Sequence, residues 1–431
     1  MDTLQKLFRF LDESPTCCHA AANVLAAMKA AGAVELRESE PWKLEKGGLY
    51  AVSDSALVAF RVPEGPFHGF LMAAAHSDSP TFKIRETGET ASAGNTLRLS
   101  VEPYGGGIWR GWLDRPLSVA GRVVIRQGDR LVSRLVNIDR DLLVIPGVAI
   151  HMDRSVNKGA ELNPAVDLLP LLGCGKEPGA FRKLIAEAAG VREEHLLSTE
   201  LFLYPRTKAV QTGLNGEFIV SPRLDDLQCV FGCLEGFLAA KPGGSLPVLA
   251  VFNNEEVGSN TRQGADSTFL TDVLERIADG CGLSREAWKT AVANSFMVSA
   301  DNAHAIHPAH PEYADKGEFP VLGGGIVIKY NANQRYTTDA VSGAVFQAIC
   351  QEAGVPVQRY SNRADLPGGS TLGNISTAHL SVPTVDIGLP QLAMHSVCET
   401  AGAADTDYLV KAKTAYFSRE FHRDRDGGIV F

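Results

Sequence analysis

The sequence predicts an α/β fold: a mainly parallel central sheet flanked by helices and interrupted by a β-rich insertion. Three observations predict it. Short continuous apolar runs lie at 70–75, 246–252, 295–300 and 382–388, as buried parallel strands require. Each run leads into residues able to ligate a metal. Between the first and second runs the pattern changes to alternating apolar and polar residues, the mark of antiparallel strands with one solvated face.

In chain order, residues 3–32 predict two helices broken at Ser14-Pro15-Thr16, where proline suits a first helical turn. The run 70–75 follows and ends in His76-Ser77-Asp78. From about residue 86 come the period-two segments 95–101, 117–126 and 131–136. Turn signals separate them at Gly105-Gly106-Gly107 and Gln127-Gly128-Asp129. From about residue 214 the strand and helix alternation resumes. Ser221-Pro222-Arg223-Leu224-Asp225-Asp226-Leu227 precedes an apolar helical stretch that carries Cys229 and Cys233. The run 246–252 leads to Glu255-Glu256, 295–300 to Asp301, and 382–388 through Leu389-Pro390-Gln391 to His395. The simplest division is one α/β domain, 1–85 plus 214–431, interrupted by a β-rich module at 86–213.

The 431 residues carry a formal net charge of −9 and no Lys/Arg-rich run, which argues against a nucleic-acid partner. No apolar run reaches the length of a transmembrane helix. The N-terminus lacks a basic region followed by an apolar core, so a cytoplasmic location is expected. Eight cysteines are too sparse for a disulfide scaffold. Cys229 and Cys233, without a second pair at ligand spacing, read as buried free thiols.

The chemistry lies in Asn253-Asn254-Glu255-Glu256-Val257-Gly258. Alone, two adjacent glutamates also read as a solvated pair at a strand end. The other runs change that, because ligands of open α/β sheets bind outside the carboxyl ends of the strands. One sheet edge can therefore receive His76, Asp225, Glu255, Glu256, Asp301 and His395. Zinc accepts imidazole nitrogen and carboxylate oxygen, and two-metal hydrolytic sites hold their ions about 3.5–4 Å apart. One carboxylate must then bridge. The count fits His76, Asp225 and Asp301 on one ion, and Asp225, Glu256 and His395 on the other. Asp78 can accept the ring proton of His76. Glu255 remains free as a general base.

His304, His307 and His310 recur every three residues, but Pro308 and Pro311 break any helix that would align them, and they read as structural. The glycine-rich segment 366–374 lacks a P-loop lysine and reads as a loop lining the site. No Gly-x-Ser-x-Gly elbow is present.

The chain resembles the aspartyl aminopeptidase family of co-catalytic zinc metallopeptidases over nearly its whole length. The likeness rests on His76-Ser77-Asp78-Ser79-Pro80, Val101-Glu102-Pro103-Tyr104-Gly105-Gly106-Gly107, Trp112-Leu113-Asp114-Arg115 and Ala149-Ile150-His151. It continues through Arg223-Leu224-Asp225, Asn254-Glu255-Glu256-Val257-Gly258-Ser259, Ser299-Ala300-Asp301, Asn331-Ala332-Asn333-Gln334-Arg335-Tyr336 and Met394-His395-Ser396. The resemblance implies a metallopeptidase domain with two Zn2+ per subunit, Mn2+ or Co2+ being alternatives. It implies His76, Asp225, Glu256, Asp301 and His395 as ligands, with Asp225 bridging, and Glu255 as base. It further implies that the β-rich module mediates dimerisation within a homo-oligomer, a dodecamer built from dimers. His151 would then reach a neighbour's catalytic site. Lys329 and Tyr336 match residues that hold an acidic substrate side chain. Asp226 stands where many relatives carry Asn, which leaves the bridge open between the two aspartates.

The function expected is removal of an N-terminal Asp or Glu from peptides. Broad or neutral specificity is the first alternative, and an inactive metal-binding scaffold the second. Lys329 discriminates the first, since a cation favours a carboxylate. Glu255 argues against the second.

Overall fold

The computed structural model describes residues 1–175, 178–366, 368–426 and 428–431. Its centre is a nine-stranded sheet in the order Val34–Leu36, Leu49–Ser53, Leu57–Arg61, Leu246–Phe252, Phe70–His76, Phe296–Ala300, Thr384–Gly388, Ile326–Tyr330, Val357–Ser361. Five of its eight strand pairings are parallel, including all those among the four central strands. The fold is thus α/β with a mainly parallel sheet, as the apolar runs predict. The run at 382–388 enters the sheet only at Thr384, after Pro383, which has no amide proton to give a ladder.

The central strands are apolar throughout because both faces are covered. Leu71, Ala73 and Ala75 face one core, with Leu7, Val24, Leu227, Phe346 and Leu409 from the helices Thr3–Glu13, Cys17–Ala30, Leu224–Ala239, Ala340–Glu352 and Asp405–Phe417. Phe70, Met72 and Ala74 face the other, with Leu270, Leu274 and Trp288 from Phe269–Gly280 and Arg285–Ala293. This is the period-two alternation of a strand, with apolar side chains on both sides. The first two helices break at Ser14 as expected.

A separate six-stranded sheet runs Arg130–Asn137, Leu117–Gln127, Leu196–Pro205, Thr81–Ser92, Thr96–Tyr104, Leu171–Cys174. Its described pairings are antiparallel. Leu97, Leu99 and Val101 are buried while their neighbours are not, which matches the alternation in sequence. Helix Ala180–Ala188 packs on this sheet through Phe181 and Ile185.

A small five-stranded sheet has no counterpart in the sequence pattern. Its strands, Val210–Thr212, Phe218–Ser221, Glu399–Gly402, Pro390–Leu392 and Ala303–His304, are two to four residues long. Such fragments carry no periodicity to read. This sheet gathers three chain segments around the carboxyl edge of the main one.

Among the described residues no helix is long and apolar enough to cross a membrane. All eight cysteines are free, with Cys229 and Cys233 buried.

Candidate metal centre

Parallel register brings the strand ends together. His76 pairs with Phe252 across the ladder, and Ala300 with Ile387. His76, the 253–256 turn and Asp301 therefore leave the sheet at one edge. The turn is shaped by Asn254 (φ 63°) and Gly258 (φ 99°), left-handed residues that bracket Glu255–Val257; Asn tolerates that region better than most side chains. Asp225 and Asp226 depart from helical angles at the start of Leu224–Ala239, so their carboxylates face the edge and not the helix surface. His395 (φ 66°) arrives on the loop between two strands of the small sheet.

The structure thus collects every ligand expected from sequence. His76, Asp225, Asp226 and Asp301 offer atoms within 4.8 Å of one another, as do Asp225, Glu256 and His395, and His76, Glu255 and Glu256. His76 Nε2 lies 3.4 Å from Asp225 Oδ1, and His395 Nε2 lies 3.4 Å from Asp225 Oδ2. His395 Nε2 is also 3.4 Å from Glu256 Oε2. These separations are too long for good hydrogen bonds. They match two donors on one tetrahedral zinc, whose bond lengths of about 2.0–2.2 Å place ligand atoms roughly 3.3–3.5 Å apart. Asp225 Oδ1, Asp226 Oδ1 and Glu256 Oε1 are buried with no hydrogen-bond partner. Orphaned buried oxygens among imidazole nitrogens are what a cation would satisfy. The residues present fit zinc.

Electrostatics agree. Burial, and then mutual repulsion among carboxylates, raises the pKa of Asp226, Glu255, Glu256 and Asp301, with Glu255 at about 7. Burial opposes ionisation of Asp225 too, but the imidazoles of His395 and His76 outweigh it and hold Asp225 below the usual range. Burial disfavours a charged His395, yet Asp225 and Glu256 push it up to about 10. A divalent cation between these groups relieves the repulsion.

The imidazoles are oriented by backbone oxygens. His395 Nδ1 lies 2.8 Å from the Gly106 carbonyl, which leaves Nε2 for the centre. His76 Nδ1 lies 3.1 Å from the Asp78 carbonyl and 3.5 Å from the Asp78 carboxylate. The main-chain oxygen of Asp78 is thus the nearer acceptor for the ring, with its carboxylate second. The carboxylate is occupied otherwise. It accepts the amides of Glu255 and Glu256 at 3.1 Å each and the Tyr104 hydroxyl at 2.8 Å. Asp226, whose Oδ2 accepts the His76 amide at 3.1 Å, likewise holds a backbone. Glu399 does the same for Asp225 and His395.

Sequence reasoning does not find Gly106, Tyr104 or Glu399 as contributors to the centre. The glycine run signals only a turn, and no strand run precedes Glu399. Gly105 is tightly constrained: at φ 73° a Cβ would sit 3.0 Å from Glu256 Cβ.

Lys329 lies near the end of strand Ile326–Tyr330 and is 3 % exposed. Its Nζ donates to the Asn302 carbonyl at 2.8 Å, lies 3.8 Å from Asp301 Oδ1, and stands 5.4 Å from the Tyr336 ring. Tyr336 is buried against Ala303, Val327 and Tyr360. An open cavity of about 310 Å3 adjoins, lined by His304, His307, Tyr360, Arg363 and Gln391. Leu366 lines it too, so the glycine-rich loop borders the site, although Pro367 lies outside the described residues. His151 is exposed in a turn and is not among the clustered metal-capable groups of the described residues.

The geometry describes a zinc centre, and comparison with known proteins supplies the family. A family model for aminopeptidase I zinc metalloproteases (M18) matches residues 10–417. The chain belongs to the M18 family. Relatives named probable M18 family aminopeptidase 2 are 43 % identical in Clostridium acetobutylicum (97 % of this chain, 99 % of that one) and 40 % identical in Pseudomonas aeruginosa (96 % and 97 %). Among solved structures, the Ape4 and Nbr1 complex contains a chain 35 % identical with a TM-score of 0.93, covering 96 % of this chain and 85 % of that one. The S. cerevisiae mApe1 dodecamer is similar at 25 % identity and TM-score 0.86, covering 97 % of each chain. As an M18 member the chain is a zinc-dependent aminopeptidase, a hydrolase acting at the N-terminal residue of peptides.

Proposed function

We propose that this aminopeptidase works with two zinc ions per subunit, bridged by Asp225, with Glu255 as general base. His76 and Asp301 complete one position, and Glu256 and His395 the other. The observation that carries this reading is the Asp225 carboxylate, each oxygen 3.4 Å from a different histidine. Asp226 spends one oxygen on the His76 amide, which favours Asp225 as the bridge. Zinc at such a site polarises the scissile carbonyl and lowers the pKa of water. Glu255 stands outside both ligand sets, and its carboxylate takes a proton from the attacking water. It returns that proton to the amine of the departing peptide, so the peptide C–N bond breaks after the new C–O bond has formed.

We infer a preference for acidic N-terminal residues. Lys329 beside the centre and the histidine- and arginine-lined cavity next to it support this. One observation favours the alternative of broad or neutral specificity: the Lys329 ammonium already serves Asn302 and Asp301. Rates on aspartyl and leucyl chromogenic amides decide between them. An aspartyl advantage of tenfold or more in kcat/KM, about 1.4 kcal/mol, supports the acidic reading, and parity refutes it.

The β-rich module at about 86–213 is proposed as the assembly unit of a homo-oligomer, with His151 completing a neighbour's site. The period-two strands, the exposed apolar Val148, Ile150 and Met152 beside His151, and the dodecameric relative support this. A cytoplasmic location is part of the same proposal, and the bacterial relatives are consistent with it.

A further inference from the structure

Glu399 is a buried carboxylate, 2 % exposed, that does not belong to the proposed ligand set. It opens strand Glu399–Gly402 of the small sheet and sits opposite Ser221 in the ladder. Its two oxygens do different work. Oε2 accepts the amide of Asp225 at 2.9 Å, and Oε1 accepts the amide of His395 at 2.7 Å. One side chain therefore spans two chain segments that are far apart in sequence and meet at one metal position.

The two residues it holds need holding. Asp225 stands in a non-helical turn after Arg223 (φ 60°), and His395 is itself left-handed (φ 66°). A non-glycine residue at positive φ keeps that conformation only when its surroundings fix it. Glu399 holds the left-handed His395 directly and, through the Asp225 amide, the turn that follows Arg223. A carboxyl group is the side chain that can accept from two backbone amides through two separate oxygens.

We propose that Glu399 is a positioning residue: a two-armed clamp that sets the gap between Asp225 and His395 and so tunes affinity at the metal position those two share with Glu256. This rests on the reading of Asp225 and His395 as ligands. The effect is unequal between the two positions. His76 has its amide held by Asp226, and the Asp301 amide donates to the Ile387 carbonyl at 3.0 Å. As the bridge, Asp225 belongs to both positions, but His395 belongs to one, so altering Glu399 disturbs two ligands of the Glu256 position and one of the His76–Asp301 position.

The test is Glu399→Gln, in which one acceptor becomes a donor and faces a backbone N–H. Zinc affinity of each equivalent is measured by chelator competition, beside the melting temperature of the metal-free protein and kcat at rising zinc. The expected result is one equivalent weakened by about 10- to 100-fold, the range for a group that orients a ligand. The other equivalent, which shares only Asp225, weakens by less, the metal-free melting temperature changes little, and kcat recovers with excess zinc. Wild-type affinity at both positions overturns the proposal. Parallel weakening of both with a lowered metal-free melting temperature also overturns it, since that is a merely structural role. Glu399→Asp, which keeps the carboxyl group on a shorter arm, serves if the Gln variant does not fold; failure of both to fold counts against the clamp. Asp225→Ala separates the two readings. If it keeps both equivalents, the ligand assignment fails. If it loses them while Glu399→Gln binds normally, only the clamp fails.

Discussion

The Lys329 ammonium lies 3.8 Å from Oδ1 of Asp301, and both residues are buried. The proposed specificity residue and a proposed metal ligand are thus one contact apart. Burial works against charge on Lys329, but Asp301 and the other acids around it more than compensate, so it stays cationic. Lys329→Met therefore removes two things: a cation for an acidic substrate and a partner for Asp301. The variant should lose activity on all substrates, with a further aspartyl-specific loss of roughly 10- to 150-fold, the value of a hydrogen bond to a charged group at about 1.5–3 kcal/mol. The ratio of kcat/KM for aspartyl and leucyl amides isolates the second part. An unchanged ratio would assign Lys329 to Asp301 alone.

Glu255→Gln should retain metal and lose hydrolysis. Glu255 shares the edge with the ligands but has no assigned place in either coordination set, and its backbone amide is held by Asp78. Removing a general base costs about 10²–10⁴-fold in rate. Turnover within a few-fold of wild type in a fully metallated variant would exclude Glu255 as the base.

Much of this arrangement is legible in the amino-acid sequence. The apolar runs report burial on both faces of a parallel sheet, and that alone predicts which ends converge. His76, Asp225, Glu255, Glu256, Asp301 and His395 can be collected because each follows such a run or opens a helix. What is illegible depends on tertiary approach. Gly106 acts through a carbonyl, which has no sequence signature, and it reaches His395 across 289 positions of chain. Glu399 acts on amides of other segments and sits in a sheet of strands too short to show a period. A two-residue spacing points the Asp78 side chain at His76. The backbone bends instead so that the carbonyl is nearer, and the carboxylate turns to Glu255 and Glu256.

If the β-rich module carries assembly and His151 acts in a neighbouring subunit, two inactive variants should rescue each other. His151→Ala and Glu255→Gln, each inactive alone, should regain activity when co-expressed, because a His151→Ala subunit can borrow His151 from its neighbour. Sedimentation of the wild type should show a large oligomer. A mixture without recovered activity, despite co-assembly, would argue against a shared site.

Acid stability provides a check away from the metal centre. Burial, with a contribution from Arg223, lowers His19 to a pKa of about 4, against about 6.5 in an unfolded chain. Between these values the unfolded state binds more protons than the folded one. The stability His19 contributes is present above about pH 6.5 and is lost as pH falls toward 4. His19→Gln should reduce the drop in melting temperature between pH 7 and pH 4.5. An identical drop in variant and wild type would show that other groups set the acid limit.

The central claim is that Asp225 joins two metal ions in one centre, and metal analysis tests it most directly. Purified wild-type protein, saturated with zinc and freed of excess, should hold two equivalents per subunit. Asp225→Ala should hold neither tightly, while His395→Ala should lose one and keep the other. A single equivalent in the wild type, or two retained in Asp225→Ala, would contradict the account.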